Sequence, residues 1–234
     1  KKINILKQFN NYDLICIQEN KLTKGLAYLM KLNNYMDFHN ISDIKKGYSG
    51  VSIYTKTMPK NIITLPWDTE GRILILEYDN IYIINVYVPN AGKKLDRLNY
   101  KINTWCNDFL NFIKTLKKEF IILGDFNATM SNNIIDIHSH QPKVAGNTQI
   151  EVWWLNYFIK KTYIYDIFRE FHPNTKKYTY WSTITNARPH DRGWRLDYIF
   201  ISKNLLKYVN DADILTDVIG SDHAPTTLNI NITL

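Results

Sequence analysis

The chain has 234 residues, 45% of them hydrophobic, with 16 Tyr and 6 Trp. That is material for one substantial core, and the interspersed charges exclude an intrinsically disordered chain. Lys plus Arg is 29 against 22 Asp plus Glu, a formal charge of +7, which fits either a polyanionic partner or a solubilising surface.

In chain order, strand-like runs are expected at 14–18 (LICIQ), 50–54 (GVSIY), 72–78 (RILILEY), 81–88 (IYIINVYV), 120–126 (FIILGDF), 178–183 (YTYWST), 196–202 (LDYIFIS) and 226–232 (TTLNINI). The third and fourth read as a hairpin turning at Asp79-Asn80. Helices are expected over 24–33, over 96–118 and over 151–161; in the second, Leu98, Ile102, Trp105, Phe109, Phe112, Ile113 and Leu116 recur at three- and four-residue steps. No repeat or Pro/Gly/Ser linker breaks the pattern. It predicts a single α/β domain over residues 1–234, with two β-sheets packed face to face and helices outside.

Cys16 lies in LICIQ and is expected in the core; its spacing from Cys106 suggests neither a metal site nor a disulfide. No apolar run reaches the length of a membrane span, and KKINILKQF is not a signal peptide, so an intracellular, reducing setting is expected. The sequence holds no P-loop, no GxGxxG, no GxSxG elbow and no zinc-type His/Cys cluster.

Several polar residues share one placement, at the ends of apolar strands. Glu19 follows LICIQ, and Tyr87 and Asn90 close IYIINVYVPN. Asp125 and Asn127 follow FIILG, Asp197 opens DYIFIS, and Asp222 and His223 follow VIGS. Any one of them reads as a turn former or cap, but five such sites on one face exceed turn chemistry. In GDFN, extended-chain alternation would aim Asp125 and Asn127 the same way, one to accept a proton from water and one to hold an oxyanion or the water. Asp222 need not orient its neighbour His223, and Asp197 fits that task. Glu19 is the candidate ligand for a hard cation such as Mg²⁺.

Taken together, DLICIQENKL, GYSGVSIYTK, EGRILILEYD, VYVPNAGKKLDRLNYK, ILGDFNAT, HPNTKKYTYWST, NARPHDRGWRLDYIFIS and GSDHAPTTLNI resemble, in family order, the exonuclease III-like class II AP endonucleases of the endonuclease/exonuclease/phosphatase superfamily. The resemblance implies a DNase I-like four-layer α/β sandwich. It also implies Mg²⁺-dependent hydrolysis (Mn²⁺ as a substitute) of the phosphodiester 5′ to an abasic site, leaving a 3′-hydroxyl, with 3′-exonuclease or 3′-phosphodiesterase activity beside it.

It implies Glu19 as metal ligand with Asp222 contributing, and Tyr87 and Asn90 on the scissile phosphate. Asp125 would activate the attacking water and Asn127 would position it. Asp197 would orient His223, which stabilises the transition state. Tyr180, Trp194 and Leu196 would receive the extruded abasic sugar, and Lys93, Lys94, Arg97, Arg188 and Arg192 would track phosphates. The implied partner is double-stranded DNA with abasic sites, bound by a monomer with no membrane. The implied compartment is the nucleus of a eukaryote, or a mitochondrion or plastid.

The family's first-strand Asn has no counterpart before QFNNYDLICIQE, so that N-terminal strand is expected to be missing from this chain. Lys93 stands where some members have Arg, and Ile184 and Thr185 replace a bulky wedge pair. QIEVWW follows AGNT where Pro and Arg are usual. A retrotransposon-type nicking endonuclease, a phosphoinositide phosphatase and a non-catalytic DNA-binding remnant remain as alternatives.

Overall fold

The computed structural model describes residues 6–23, 25, 26 and 30–234. They divide into two compact units, residues 1–87, 120–124 and 234 in one, and 88–119 and 125–233 in the other.

The first unit is built from strands. β1 (Leu14–Gln18), β3 (Val51–Thr55) and β2 (Met36–Asn40) form an antiparallel sheet in the order β1-β3-β2. β4 (Asn61–Ile63), β5 (Ile73–Glu77), β6 (Ile81–Tyr87) and β7 (Glu119–Asp125) follow one another in a second sheet. Val51, Ile53 and Tyr54 of one sheet and Ile73, Ile75, Leu76, Ile84 and Val86 of the other are fully or almost fully buried. β5 is buried on both faces, which is why ILILE is a continuous apolar run rather than an alternating one. The β5–β6 hairpin turns at Asp79-Asn80 as expected, closed by Tyr78 N–H donating to Ile81 O at 2.9 Å. A buried Asn85 side chain joins the two sheets. It donates to Ile17 O (3.1 Å) and Ser52 O (2.8 Å) and accepts from Gln18 Nε2 at 2.6 Å. Without those partners the amide would be a costly polar group in an apolar layer.

The second unit carries the helices. The helix expected over 96–118 is shorter, 98–113: it winds as a π-helical turn over Tyr100–Trp105 before helix α1 (Cys106–Ile113), and 114–118 are turn and irregular chain leading into β7. α1 buries Cys106, Phe109, Leu110 and Ile113. Helix α2 (Gln149–Thr162) begins two residues earlier than predicted, because Thr148 and Glu151 form a reciprocal capping box. It ends at Tyr163 in the left-handed region. β8 (Ile164–Asp166) runs into the short helix α3 (Ile167–Phe171) and pairs antiparallel with β9 (Asp197–Ser202). β10 (Val209–Ile214) pairs with β11 (Thr226–Ile230). The core is aromatic: Phe126 meets Tyr198 and Phe200 edge-on at 5.8 and 5.0 Å, and Phe109 stacks on Phe158 at 5.3 Å.

Three expectations change. The run 178–183 is not a strand; only Tyr180 makes bridges, to Trp194 and to His223, because Thr179 and Tyr180 each serve the two flanking segments. Cys16 is partly rather than fully buried. Of the helix expected over 24–33, Lys24 and 27–29 lie outside the described residues, and Gly25-Leu26 form a turn.

Gly124, late in β7, has φ +139, and a Cβ there would stand 2.0 Å from Val86 O. A backbone atom cannot swing aside as a side chain can. Gly124→Ala is therefore expected to lower stability by about 1–3 kcal/mol, read as a fall in the urea midpoint at unchanged slope.

Candidate active site

The GDFN segment leaves β7 as a tight turn. Asn127 has φ 48, in the left-handed region, and its N–H donates to Asp125 Oδ1 at 2.7 Å. The alternation argument therefore fails here: a turn, not an extended strand, sets the two directions. The Asn127 side chain is held at both ends, Nδ2 donating to Val88 O (2.9 Å) and Oδ1 accepting from Asn90 Nδ2 (2.8 Å). Asn90 Oδ1 in turn accepts from Gly92 N at 2.9 Å. A non-glycine residue at positive φ persists where its surroundings over-determine it, and these bonds do so.

β9 begins at Asp197, whose N–H and that of Leu196 both donate to Thr179 Oγ1 (3.0 and 2.9 Å). Asp197 Oδ2 lies 2.7 Å from His223 Nδ1, the pairing expected from sequence. Ala224 N–H donates to Thr179 O at 2.7 Å, and the Tyr180 ring lies 5.0 Å from the imidazole. Threonine 179 thus anchors both halves of the pair, one through its hydroxyl and the other through its carbonyl.

Asp125, Asp197 and His223 each offer a ligand atom within 4.8 Å of the others, the described cluster suited to a metal ion. Burial pushes the Asp125 carboxyl up to about 7; the Asp197 carboxylate adds to the rise, and His223, the Asn127 N–H and Lys101 oppose it. Burial would lower the His223 imidazole. Asp197 overrides that by charge and by hydrogen bond, with Asp125 and Asp222 assisting, and lifts it to about 10. At neutral pH the site therefore couples a carboxylate poised to exchange a proton with an imidazolium held charged. A buried carboxyl with raised proton affinity is one whose negative charge lacks compensation, and the carboxylate oxygens of the cluster, rather than the protonated imidazole, suit a hard divalent cation.

Trp194 and Leu196 pack with Ile137 as a buried cluster, each under a tenth exposed, and half-buried Tyr180 covers it. Gly146, at φ +92, admits the Trp194 ring: a Cβ there would be 3.2 Å from Cζ3. Asp222 is exposed; its carbonyl accepts from Trp181 N at 2.9 Å and its Oδ1 from Ser221 Oγ at 3.3 Å, and it is not part of the cluster.

The basic residues divide. Lys93 and Lys94 are exposed, and Arg192 reaches Thr185 O at 3.4 Å. Arg97 stacks over Tyr100 at 4.9 Å. Arg188 is committed to the fold: it donates to Ser221 O (3.0 Å), Thr216 O (2.8 Å) and Val218 O (2.7 Å) and lies over the Trp181 ring at 4.6 Å. It straps down the segment that delivers His223.

Glu19 and Tyr87 belong to the first unit. Glu19 sits just past β1 at φ 54, half-exposed, 3.1 Å from Lys21 Nζ. Its turn is pinned by buried Asn20, whose Nδ2 donates to Ser52 Oγ at 2.8 Å and whose N–H donates to Gly50 O at 3.0 Å. Tyr87 ends β6, its ring 4.6 Å from the Arg72 guanidinium, which also donates to Tyr87 O at 3.1 Å.

Sequence reasoning missed Lys101 and Glu151, a fully buried ion pair at 2.6 Å beside Asn127. The T-x-x-E capping signature at 148–151 was the only sequence signal for Glu151.

The profile of the Endonuclease/Exonuclease/phosphatase family matches residues 1–223. The chain belongs to that family. An exodeoxyribonuclease of Bacillus subtilis is 35% identical over 231 residues, covering 94% of this chain and 88% of the relative. A DNA-(apurinic or apyrimidinic site) endonuclease of Dictyostelium discoideum is 34% identical, over 95% of this chain and 64% of its own length. Among solved structures, the AP endonuclease LMAP from Leishmania major superposes with a TM-score of 0.85 at 26% identity, over 97% of this chain and 80% of that one. The DNase I-like α/β fold is thereby established, and with it a phosphodiester-hydrolysing nuclease.

The raised pKa of His223 fixes a sign. Its stabilisation is fully present below the ordinary value near 6.5 and is lost as pH rises through about 10. Imidazole NMR titration should show His223 charged through neutral pH, and Asp197→Asn should return its midpoint towards the ordinary value.

Proposed function

We propose that the chain incises duplex DNA 5′ to an abasic site by hydrolysis, leaving a 3′-hydroxyl. The observation that carries this reading is the Asp197–His223 pair, 2.7 Å apart, set beside buried Asp125 and next to the Tyr180 ring. The chain's identity with a curated AP endonuclease supports the choice of lesion.

An abasic nucleotide has lost its stacking partner and leaves the helix at low cost. The sequence resemblance assigns the bare deoxyribose to Tyr180, Trp194 and Leu196, of which half-buried Tyr180 offers the accessible face. Asp125 takes a proton from water as the water oxygen bonds to phosphorus and the bond to the 3′-oxygen breaks; the 3′-oxygen leaves with the bonding pair and takes its proton from solvent, giving the 3′-hydroxyl. His223 donates from Nε2 to a non-bridging oxygen, and Asp197 keeps the imidazole charged and oriented. Asn127 holds the turn that aims Asp125, and Asn90 braces Asn127; the sequence resemblance adds Asn90 as a contact to the phosphate.

The donor set fits a hard cation. Mg²⁺, with Mn²⁺ as substitute, would be held by Asp125 within the cluster, and would offset charge on the leaving oxygen. The sequence resemblance, not a distance, adds Glu19 and Asp222 as ligands and Tyr87 as a phosphate contact. The protein acts as a monomer inside a DNA-containing compartment. Identity with an exodeoxyribonuclease supports a second activity, removal of nucleotides from 3′ ends by the same hydrolysis.

An incision assay with one abasic duplex and one intact duplex at millimolar Mg²⁺ tests the reading. Preferential cutting of the abasic strand is expected. Equal cutting favours the nicking-endonuclease alternative, and binding without cutting favours the remnant. Asp125→Ala should lower turnover at least about 100-fold and retain abasic-duplex binding. Salt titrations separate the basic residues. Lys93→Ala should lessen the slope of log affinity against log salt by about 0.9, the contribution of one phosphate contact. Arg188→Gln should leave that slope unchanged, since its guanidinium already serves three carbonyls.

A further inference from the structure

Lys101 is 1% exposed and Glu151 is fully buried, an expensive placement for two charges. The π-helical turn Tyr100–Trp105 carries Lys101 inward, and such turns inside helices are frequent at functional sites. The ammonium donates twice at 2.6 Å, to Glu151 Oε1 and to the backbone carbonyl of Asn127. The other carboxylate oxygen of Glu151 accepts from Gly146 N (2.8 Å), Thr148 N (3.2 Å) and Thr148 Oγ1 (2.7 Å). Gly146 O then accepts from Thr129 N at 2.8 Å.

One buried pair therefore touches two places. On one side is the left-handed turn whose N–H holds Asp125. On the other is Gly146, against which the Trp194 ring lies. A salt bridge needed only for stability could be replaced by apolar side chains. This one ends on the carbonyl of left-handed Asn127 instead, and a hydrogen bond to a charged donor is about twice as strong as a neutral one.

We infer that Lys101 is a positioning residue for phosphodiester hydrolysis, which through Glu151 locks the Asp125–Asn127 turn and the Gly146 wall of the sugar pocket into one register. This deepens the incision activity proposed above and rests on it for its kinetic arm. Neither residue touches substrate; both act through Asn127 and Gly146.

The full chain is compared with Lys101→Met, Lys101→Arg and the double variant Lys101→Met/Glu151→Gln. Lys101→Met should lower kcat on the abasic duplex about 100-fold, the scale of a small misplacement of a reacting group, with KM little changed. Lys101→Arg, which keeps charge and donors, should recover most of the loss. Because Lys101→Met strands a buried carboxylate, it could fail to fold; the double variant removes both charges, and Gln still satisfies the capping box. The double variant should regain the thermal midpoint and not the turnover. If it regains both, the pair is structural only and the inference is overturned.

Amide hydrogen exchange gives a readout independent of activity. Asn127 and Thr129 should lose protection in the double variant while the Phe109–Phe158 core keeps it; unchanged protection at both amides overturns the inference. Failure of the unmodified chain to incise abasic DNA would sink the functional reading, and the exchange comparison would still decide whether Lys101 holds the turn.

Discussion

Two carboxyl groups cannot lie buried side by side with both ionised unless something positive is held with them; otherwise one keeps its proton. That constraint organises the second unit. Asp197 has its countercharge in His223, 2.7 Å away, and Asp125 has, among the described residues, no charged partner in hydrogen-bond contact. The asymmetry separates their roles: one carboxylate serves to keep an imidazole charged, and the other has a proton affinity raised into the neutral range. Everything that fixes the distance between them contributes, including Thr179, which anchors both β9 and the His223 segment, and Arg188, which ties down 216–221. A second buried system, Arg195 between Asp136 (2.7 Å) and Asp166 (2.6 Å), sets the entry to β9 from behind.

Much of this was legible from the sequence, for a physical reason. β5, β6, β7 and β9 are apolar, β-branched or aromatic runs, and burial is what makes them so, while β1 is equally apolar and only partly buried. β2 (MDFHN) was not legible, because His39 and Asp37 look like loop residues. In the fold His39 bonds Ser52 Oγ at 2.8 Å and Asp37 at 3.0 Å, so a polar network takes the place of an apolar face. β10 (VNDADI) carries two acids on an exposed edge, and β4 and β8 are three residues long, too short for any period to register.

The site divides along the same line. Strand-end acids announce themselves by standing next to apolar runs, and the Asp197–His223 pairing was legible because a second carboxylate was sought for the imidazole, although Ser221-Asp222 form a bend rather than a strand. Lys101 did not announce itself: in a linear pattern it is one more basic residue on a helix, and only the π-helical turn takes it inside. Arg188 shows the converse. Its charge was evident and its use was not, because a guanidinium that satisfies three carbonyls over an indole has the same letter as one that meets a phosphate.

Tyr180 bridges both Trp194 and His223 through its backbone. The buried Trp194–Leu196–Ile137 cluster and the imidazole are therefore parts of a single mechanical body, though nearly thirty positions separate Trp194 and His223 along the chain. A change of packing under Trp194 reaches His223 through the main chain of one residue, so a substitution in the cluster can move the imidazole without touching it.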